Sequence, residues 1–149
     1  MSTTQVEMSA QINQSASKIY QAIADYRRHH PQFLPKNYFK KLEIEEGGIG
    51  AGTIFKADME VFGNKSSFHM RVSEPQSGRV IQETDLNSGL VTTFTIDPLN
   101  TNSATVTIAS QWQRPSGLIS WLDSAMRSLV MKRIYKEELA LMDQYVASL

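Results

Sequence analysis

The residues that could carry out chemistry are few, and most of them also have a purely structural interpretation. The glycine-rich run at residues 47–53, Gly-Gly-Ile-Gly-Ala-Gly-Thr, could cradle a phosphate with its backbone N–H groups. It lacks the lysine of a P-loop, and it is expected to connect two strands instead of leading into a helix. A tight connection that needs positive backbone φ is therefore the favoured role of these glycines.

One acid–base pair depends on the register of a predicted hairpin. If Gly63 and Asn64 form a two-residue turn, Asp58 lies opposite His69, and the two side chains could exchange a proton. The same register pairs apolar residues on the other face of the hairpin, which places this pair on the outer, solvated face. The favoured interpretation is an ordinary cross-strand charge pair.

The basic segment Arg-Arg-His-His at residues 27–30 follows a predicted helix and could form an anion-binding patch. A solvated helix end explains the segment without a ligand, because the helix dipole favours cations there. We expect no metal site, since no carboxylate–histidine set is recognisable beyond Asp58 and His69. The sequence has no cysteine, which excludes thiol nucleophiles, disulfides and iron–sulfur clusters. No residue is identified as catalytic, and no cofactor is expected.

The composition predicts a folded domain with a neutral surface. The chain has 149 residues, 41% of them hydrophobic, with 15 Lys and Arg against 15 Asp and Glu. This length favours a single domain over residues 1–149 with a sizeable core. A zero formal charge argues against a nucleic-acid partner, because nucleic-acid binders normally carry a basic surplus. No apolar run is long enough for a membrane span and no signal peptide is recognisable, so we expect a cytoplasmic protein.

Hydrophobic periodicity predicts an α+β architecture. Residues 5–12 alternate as a strand, and residues 16–26 repeat apolar positions as a helix. From residue 39 to residue 113, alternation and turn signals predict six further strands in an antiparallel meander. A long helix then runs from about residue 118 to near the C-terminus. Its apolar stripe changes faces near residues 129–131, so its first half is expected to contact something different from its second half.

Several stretches of the sequence resemble the START-like superfamily, also called the Bet v 1-like or SRPBCC group, and within it proteins of the polyketide cyclase/dehydrase type. These stretches are residues 15–26 with the following His30-Pro31, and residues 45–53, 74–80, 93–98 and 134–139. The resemblance implies a helix-grip fold, in which a curved antiparallel sheet of about seven strands wraps around the long C-terminal helix and leaves a cavity. Such a fold hosts binders, cyclases, hydrolases and chaperone regulators, so it does not fix a function.

In a helix-grip fold, a set of aromatic and methionine side chains would line the cavity and bind an apolar or aromatic ligand, lipid-like or polyketide-like. This set is Phe55, Met59, Phe68, Met70, Phe94, Trp112, Trp121 and Met126. In a filled core the same side chains would simply pack, and both interpretations stay open. Polar groups that could orient a ligand are Ser66, Thr84, Thr92 and Ser110.

Binding of a small molecule is the leading functional hypothesis. An enzyme of the cyclase/dehydrase type would use the same pocket to fold a reactive polyketide chain and move a proton. An ionisable residue that faces the pocket with a shifted pKa would favour that enzyme. A third hypothesis is that Leu118, Trp121 and Leu122 form an apolar patch for a homodimer, another partner or a membrane surface.

Overall fold

A computed structural model gives the structure of residues 2–114 and 117–149, and in residues 118–122 it describes the backbone alone. The strands are β1 (Ser2–Ile12), β2 (Phe39–Glu46), β3 (Ile54–Val61), β4 (Asn64–Gln76), β5 (Val80–Asp85), β6 (Val91–Asn100) and β7 (Ser103–Arg114). The helices are α1 (Ala16–Ala24) and α2 (Leu118–Ala147), and a short 3₁₀ turn covers His30–Phe33. The predicted element order is confirmed.

The seven strands form one antiparallel sheet in the order β1-β7-β6-β5-β4-β3-β2. Strands β2 to β7 are therefore a meander, and β1 closes the far edge by pairing with β7. Helix α2 packs against β1, β7 and the 3₁₀ turn, so the core lies between the curved sheet and this helix. The architecture is α+β and of the helix-grip type, as expected. Among the described residues, no helix is long and apolar enough to cross a membrane.

The glycine-rich segment between β2 and β3 docks on the end of α1. The N–H of Gly50 donates to the carbonyl of Ala24 at 2.9 Å, and the carbonyl of Gly48 accepts from the N–H of Tyr26 at 2.8 Å. A Cβ on Gly48 would lie 2.1 Å from the side chain of Arg27, so a close approach requires glycine there. Protein acceptors also take the N–H groups of Gly48, Ala51 and Gly52. These amides are therefore committed to the fold, which supports the structural interpretation over phosphate binding.

The hairpin between β3 and β4 turns one residue earlier than predicted. Val61 pairs with Asn64, and the two turn residues are Phe62, with φ of 51°, and Gly63, with φ of 79°. The register is therefore shifted by two residues from the predicted one, which preserves the faces and changes every pair. Asp58 lies opposite Ser67, not His69.

The predicted Asp58–His69 pair is accordingly wrong. The Ser67 hydroxyl donates to Asp58 at 2.8 Å, while His69 Nε2 forms a hydrogen bond of 2.5 Å with Glu45 on β2. Asp58 and His69 have separate partners on a partly exposed face, and neither arrangement points to catalysis.

Replacing Phe62 with asparagine is expected to raise the free energy of unfolding by about 1 kcal/mol. Phe62 is 80% exposed, so its removal loses little packing, and its positive φ is unfavourable for a bulky side chain. Asparagine tolerates this region and would create an Asn-Gly turn. Urea unfolding measures the gain, with Gly63→Ala as a comparison that should lower stability. An unchanged midpoint for Phe62→Asn would contradict the expectation.

The two halves of α2 have different surroundings, as the change of stripe predicted. In the second half, Ile134, Leu139 and Met142 are buried against the sheet. In the first half the small polar Ser124 faces inward, while Met126 and Leu129 face solvent. The core therefore holds α2 chiefly through its C-terminal half.

Candidate functional site

Three ionisable side chains and a tyrosine meet inside the core between the sheet and α2. His30, Glu83 and Glu138 are 2%, 7% and 2% exposed, and Tyr26 is fully buried. We call these four residues the buried cluster. Charged groups are rarely buried to this degree unless they are paired or functional.

Different elements supply the members of the buried cluster. Glu83 lies on the inward face of β5, between the buried residues Ile81 and Asp85 of the same alternating face. Glu138 lies on α2, one turn from Tyr135 on its buried side. His30 begins the 3₁₀ turn, and Pro31 follows it at a position where a missing backbone N–H is tolerated.

His30 is held in one orientation and one protonation state. Its Nδ1 donates to the carbonyl of Ile23 at 2.7 Å, because a carbonyl oxygen only accepts. The ring stacks on Tyr26 with 4.4 Å between centroids and meets the edge of Phe94 at 5.4 Å. Burial lowers the pKa of His30 to about 4, so the ring is neutral at pH 7. Nε2 then carries a lone pair that can accept a hydrogen bond. The expectation that this histidine belongs to a solvated helix end is therefore wrong, although Arg27 and Arg28 are exposed.

The two carboxyl groups face Nε2 of His30 from opposite layers. Nε2 lies 4.0 Å from Glu83 Oε2 and 3.9 Å from Glu138 Oε1. The hydroxyl of Tyr26 donates to Glu83 Oε2 at 2.6 Å. Glu138 Oε1 has no hydrogen-bond partner among the described residues. This atom is a buried polar group aimed at the centre of the buried cluster.

Burial changes the protonation of both carboxyl groups. It raises the pKa of Glu83 to about 7, although the hydrogen bond from Tyr26 acts in the opposite direction. Burial, followed by the nearby charge of Glu83, raises the pKa of Glu138 well above its ordinary value. Glu138 therefore keeps its proton to a higher pH than an ordinary glutamate does, while Glu83 exists in both forms near pH 7. Two carboxyl groups with different protonation can serve as the acid and the base of one reaction.

A second polar group, of three hydroxyls, lies beside the buried cluster. Glu83 on β5 pairs with Thr92 on β6, and Thr92 pairs with Ser110 on β7. Glu83, Thr92 and Ser110 therefore form a row on the inner face of the sheet. The hydroxyls of Thr92 and Ser110 are 2.6 Å apart, and Ser110 is hydrogen-bonded to Tyr135 of α2. Burial raises the pKa of Tyr135, which keeps its hydroxyl protonated. Among the described residues, no set of His, Asp and Glu has an arrangement that could hold a metal ion.

The structure brings part of the predicted apolar set to this site. Phe55, Met70, Phe94 and Trp112 are buried in the same core, and Phe55 stacks on Tyr26 with 5.0 Å between centroids. Their role as ligand contacts stays a prediction.

The other members of that set lie farther out. Met59 and Phe68 are partly buried and pack against the core. Met126 is 62% exposed on the outer side of α2, and we leave it out of the site. The side chain of Trp121, with the apolar patch predicted around it, lies outside the described residues.

The predicted polar groups divide in the same way. Thr92 and Ser110 face the core, whereas Ser66 is exposed and Thr84 lies on the opposite face of β5. Two surface depressions lie elsewhere, one of about 380 Å³ beside Thr93 and Thr107 on the outer face of the sheet. The other, of about 320 Å³, lies between Thr4 on β1 and Ser128 on α2. Neither depression includes a member of the buried cluster.

Sequence reasoning missed the buried cluster, although two signals for it were present. Glu83 occupies an inward position of an alternating strand, and Glu138 interrupts the apolar side of α2 between Ile134 and Met142. Acidic residues at such positions are exceptions to the binary pattern, and exceptions occur most often at functional sites.

Known structures resemble this chain over almost its whole length. The solution structure of KanY protein is 24% identical, with a TM-score of 0.85, and the match covers 99% of both chains. The Zhui aromatase/cyclase from Streptomyces sp. R1128 is 15% identical, with a TM-score of 0.79 over 98% of this chain and 94% of that one. A START superfamily protein from Mycobacterium smegmatis is 16% identical, with a TM-score of 0.73 over 97% of each chain.

No protein-family model matches the sequence, and no curated protein matches it either. At identities of 15–24%, the likeness to solved structures shows a shared fold. The function must be argued from the site.

Proposed function

We propose that this chain, which has the START-like (Bet v 1-like) fold, binds a small apolar or aromatic molecule between its sheet and α2 and moves a proton on it. The observation that carries the proposal is the pair of buried carboxyl groups, Glu83 and Glu138, facing the neutral ring of His30. Burying such groups opposes folding, and a purely apolar binding pocket has no need of them. Their perturbed protonation is typical of catalytic sites.

The apolar part of the core supplies the binding energy. Four buried side chains lie in the core on the inner face of the sheet: Phe55, Met70, Phe94 and Trp112. Each square ångström of apolar ligand surface that is buried against them contributes roughly 25 cal/mol to binding. Entry requires a movement, because these residues are closely packed. The first half of α2 is the element best able to move, since its apolar residues Met126 and Leu129 are 62% and 64% exposed.

The chemistry that fits this arrangement is enolisation of a carbonyl compound. The carboxylate of Glu83 removes a proton from the carbon beside the carbonyl, and the released electron pair forms the carbon–carbon double bond. Glu138 gives its proton to the carbonyl oxygen, which becomes the enol hydroxyl. The total charge of the two carboxyl groups is unchanged, because Glu83 gains one proton and Glu138 loses one. A pKa of about 7 suits Glu83 for this exchange near neutral pH.

Cyclisation with loss of water extends the same chemistry. The enol carbon attacks a second carbonyl in the folded chain, the enol hydroxyl loses its proton as its own carbonyl re-forms, and the oxygen of the attacked carbonyl gains a proton. The hydroxyl formed in this way is later expelled. Glu138, now a carboxylate, removes the next carbon-bound proton, and the neutral Glu83 protonates the departing hydroxyl, which leaves as water. Both side chains then regain their starting forms. A cyclase/dehydrase reaction of the polyketide type belongs to this class.

Binding without catalysis is the second candidate. It is supported by the apolar set of Phe55, Met70, Phe94 and Trp112, which needs no chemistry to hold an aromatic ligand. The two candidates differ in whether bound ligand exchanges protons.

Exchange of carbon-bound hydrogen in 2-tetralone tests the proposal. This small aromatic ketone enolises readily, and its exchange in D₂O can be followed by proton NMR. We expect the protein to accelerate exchange over buffer, with a rate that rises with pH through about 7 as Glu83 ionises. The urea-unfolded protein is the control for exposed side chains. If native mass spectrometry shows bound 2-tetralone and exchange stays at the buffer rate, binding alone stands and proton transfer is rejected.

A further inference from the structure

The buried cluster has a hydrogen-bonding pattern that selects its ligand. We infer that it takes the hydroxyl group of a neutral phenol or enol and rejects carboxylates, an inference that rests on the proposed function because it assumes that small molecules bind at this site. The group recognised is one hydroxyl, held between Nε2 of His30 and the two carboxyl groups.

The buried cluster has more hydrogen-bond acceptors than donors. Nε2 of His30 has a lone pair and no proton, because Nδ1 holds the ring proton against Ile23. The Tyr26 hydroxyl is already committed to Glu83. Glu138 supplies one acid proton, and its Oε1 has no partner among the described residues. A ligand group that donates a hydrogen bond corrects this imbalance, and one that only accepts does not.

The distances from His30 Nε2 to the two carboxyl groups leave room for one bridging oxygen atom. Nε2 is 4.0 Å and 3.9 Å from the two carboxylate oxygens, too far for direct hydrogen bonds. A single oxygen atom can lie about 2.8 Å from both members of a pair at that separation. A hydroxyl placed between Nε2 and Glu138 Oε1 donates to Nε2 and accepts the acid proton of Glu138. An ether oxygen in the same place would leave the lone pair of Nε2 without a donor.

The charges around the buried cluster disfavour an anionic ligand. No lysine or arginine among the described residues forms an ion pair with Glu83 or Glu138. The ring that faces both carboxyl groups, His30, is neutral. A carboxylate ligand would bring another negative charge beside these groups in a site of low dielectric. It would also add only acceptors. Both effects exclude an anionic ligand.

Three naphthalene derivatives of similar size form the test. They are 2-naphthol, 2-methoxynaphthalene and 2-naphthoate, measured by calorimetric titration at pH 6.5. We expect 2-naphthol to bind about 10-fold more tightly than 2-methoxynaphthalene, a difference of one satisfied hydrogen bond. We expect 2-naphthoate to bind at least about 100-fold more weakly than 2-naphthol. In His30→Phe, which removes Nε2 and keeps an aromatic ring against Tyr26, the preference for naphthol over its methyl ether should fall to near unity, while the control Glu137→Leu, at a partly exposed position on α2, should keep it.

The possible results distinguish a failure of the inference from a failure of the proposed function. Equal affinity for naphthol and its methyl ether, or tight binding of naphthoate, overturns the inference and leaves the proposed binding site intact. A preference for naphthol that survives in His30→Phe also overturns it, because the selectivity would then come from another group. If none of the three compounds binds, both the inference and the proposed function fail.

Discussion

A Glu83→Gln variant is expected to lose the exchange of 2-tetralone hydrogens by about 10²–10⁴-fold while it remains folded. The amide keeps the shape of the side chain, and its oxygen can still accept the hydrogen bond from Tyr26. What it removes is the group whose pKa lies near 7 and which can take a carbon-bound proton at neutral pH. The measurement is the NMR exchange rate at saturating 2-tetralone.

A matched substitution separates this effect from a general loss of charge. Glu43 is a well-exposed glutamate on β2, and Glu43→Gln should exchange 2-tetralone at the rate of the unmodified protein. Binding should persist in Glu83→Gln, because the apolar walls are unchanged. If Glu83→Gln binds 2-tetralone and exchanges it as fast as the unmodified protein, Glu83 is not the base.

The sheet and the long helix could be predicted because their patterns are periodic and depend on burial alone. The alternation in β5 to β7 fixes which side chains face the core, whatever the exact pairing. The register of β3 and β4 could not be predicted as well. Two adjacent two-residue turns were compatible with the sequence, and the observed one places Phe62 at positive φ, which sequence reasoning disfavours. A turn displaced by one residue changed every pair in the hairpin.

The buried cluster was missed for a different reason. Glutamate and histidine are usually exposed, so the base rate favoured solvated positions for His30, Glu83 and Glu138. Tertiary contacts overrode that preference, since the ring of His30 packs in the core against the rings of Tyr26, Phe33 and Phe94. Met126 shows the reverse case, in which an apolar side chain on α2 remains in solvent. Periodicity identifies a face of an element, but only the packed fold decides what that face meets.

The cost of the buried cluster falls on stability, and its sign depends on pH. Burial raises the pKa of Glu83 and Glu138, so the stability that these groups contribute is complete below about pH 4.5 and declines as pH rises through their folded pKa values. For Glu83 the decline amounts to about 3 kcal/mol between pH 4.5 and 7. His30 acts in the opposite direction, because its lowered pKa adds stability as pH rises from about 4 to 6.5. Within the buried cluster, Glu83 and His30 therefore act in opposite directions below pH 6.5, and Glu138 acts in the same direction as Glu83.

Replacing Glu138 with leucine is accordingly expected to raise the free energy of unfolding by about 1–4 kcal/mol, with the larger gain at higher pH. The substitution removes a buried carboxyl oxygen that has no partner among the described residues, in a region lined by Leu139, Met142 and other apolar side chains. As pH rises above about 4.5, the unfolded chain ionises Glu138 before the folded chain does, so the unmodified protein loses stability that the variant keeps. At pH 5 this difference is smaller. Urea unfolding at the two pH values measures both the gain and its slope.

Glu137→Leu is the matched control, since its side chain is 38% exposed one residue away on the same helix, and its effect should stay within about 0.5 kcal/mol. The stabilised Glu138→Leu protein should also lose the exchange of 2-tetralone, because the substitution removes the carboxyl group that supplies the proton to the carbonyl oxygen. A gain in stability together with a loss of exchange would identify Glu138 as a residue retained for chemistry at the expense of folding. A variant that is less stable at pH 8 than the unmodified protein would instead show that the carboxyl group is a satisfied part of the core.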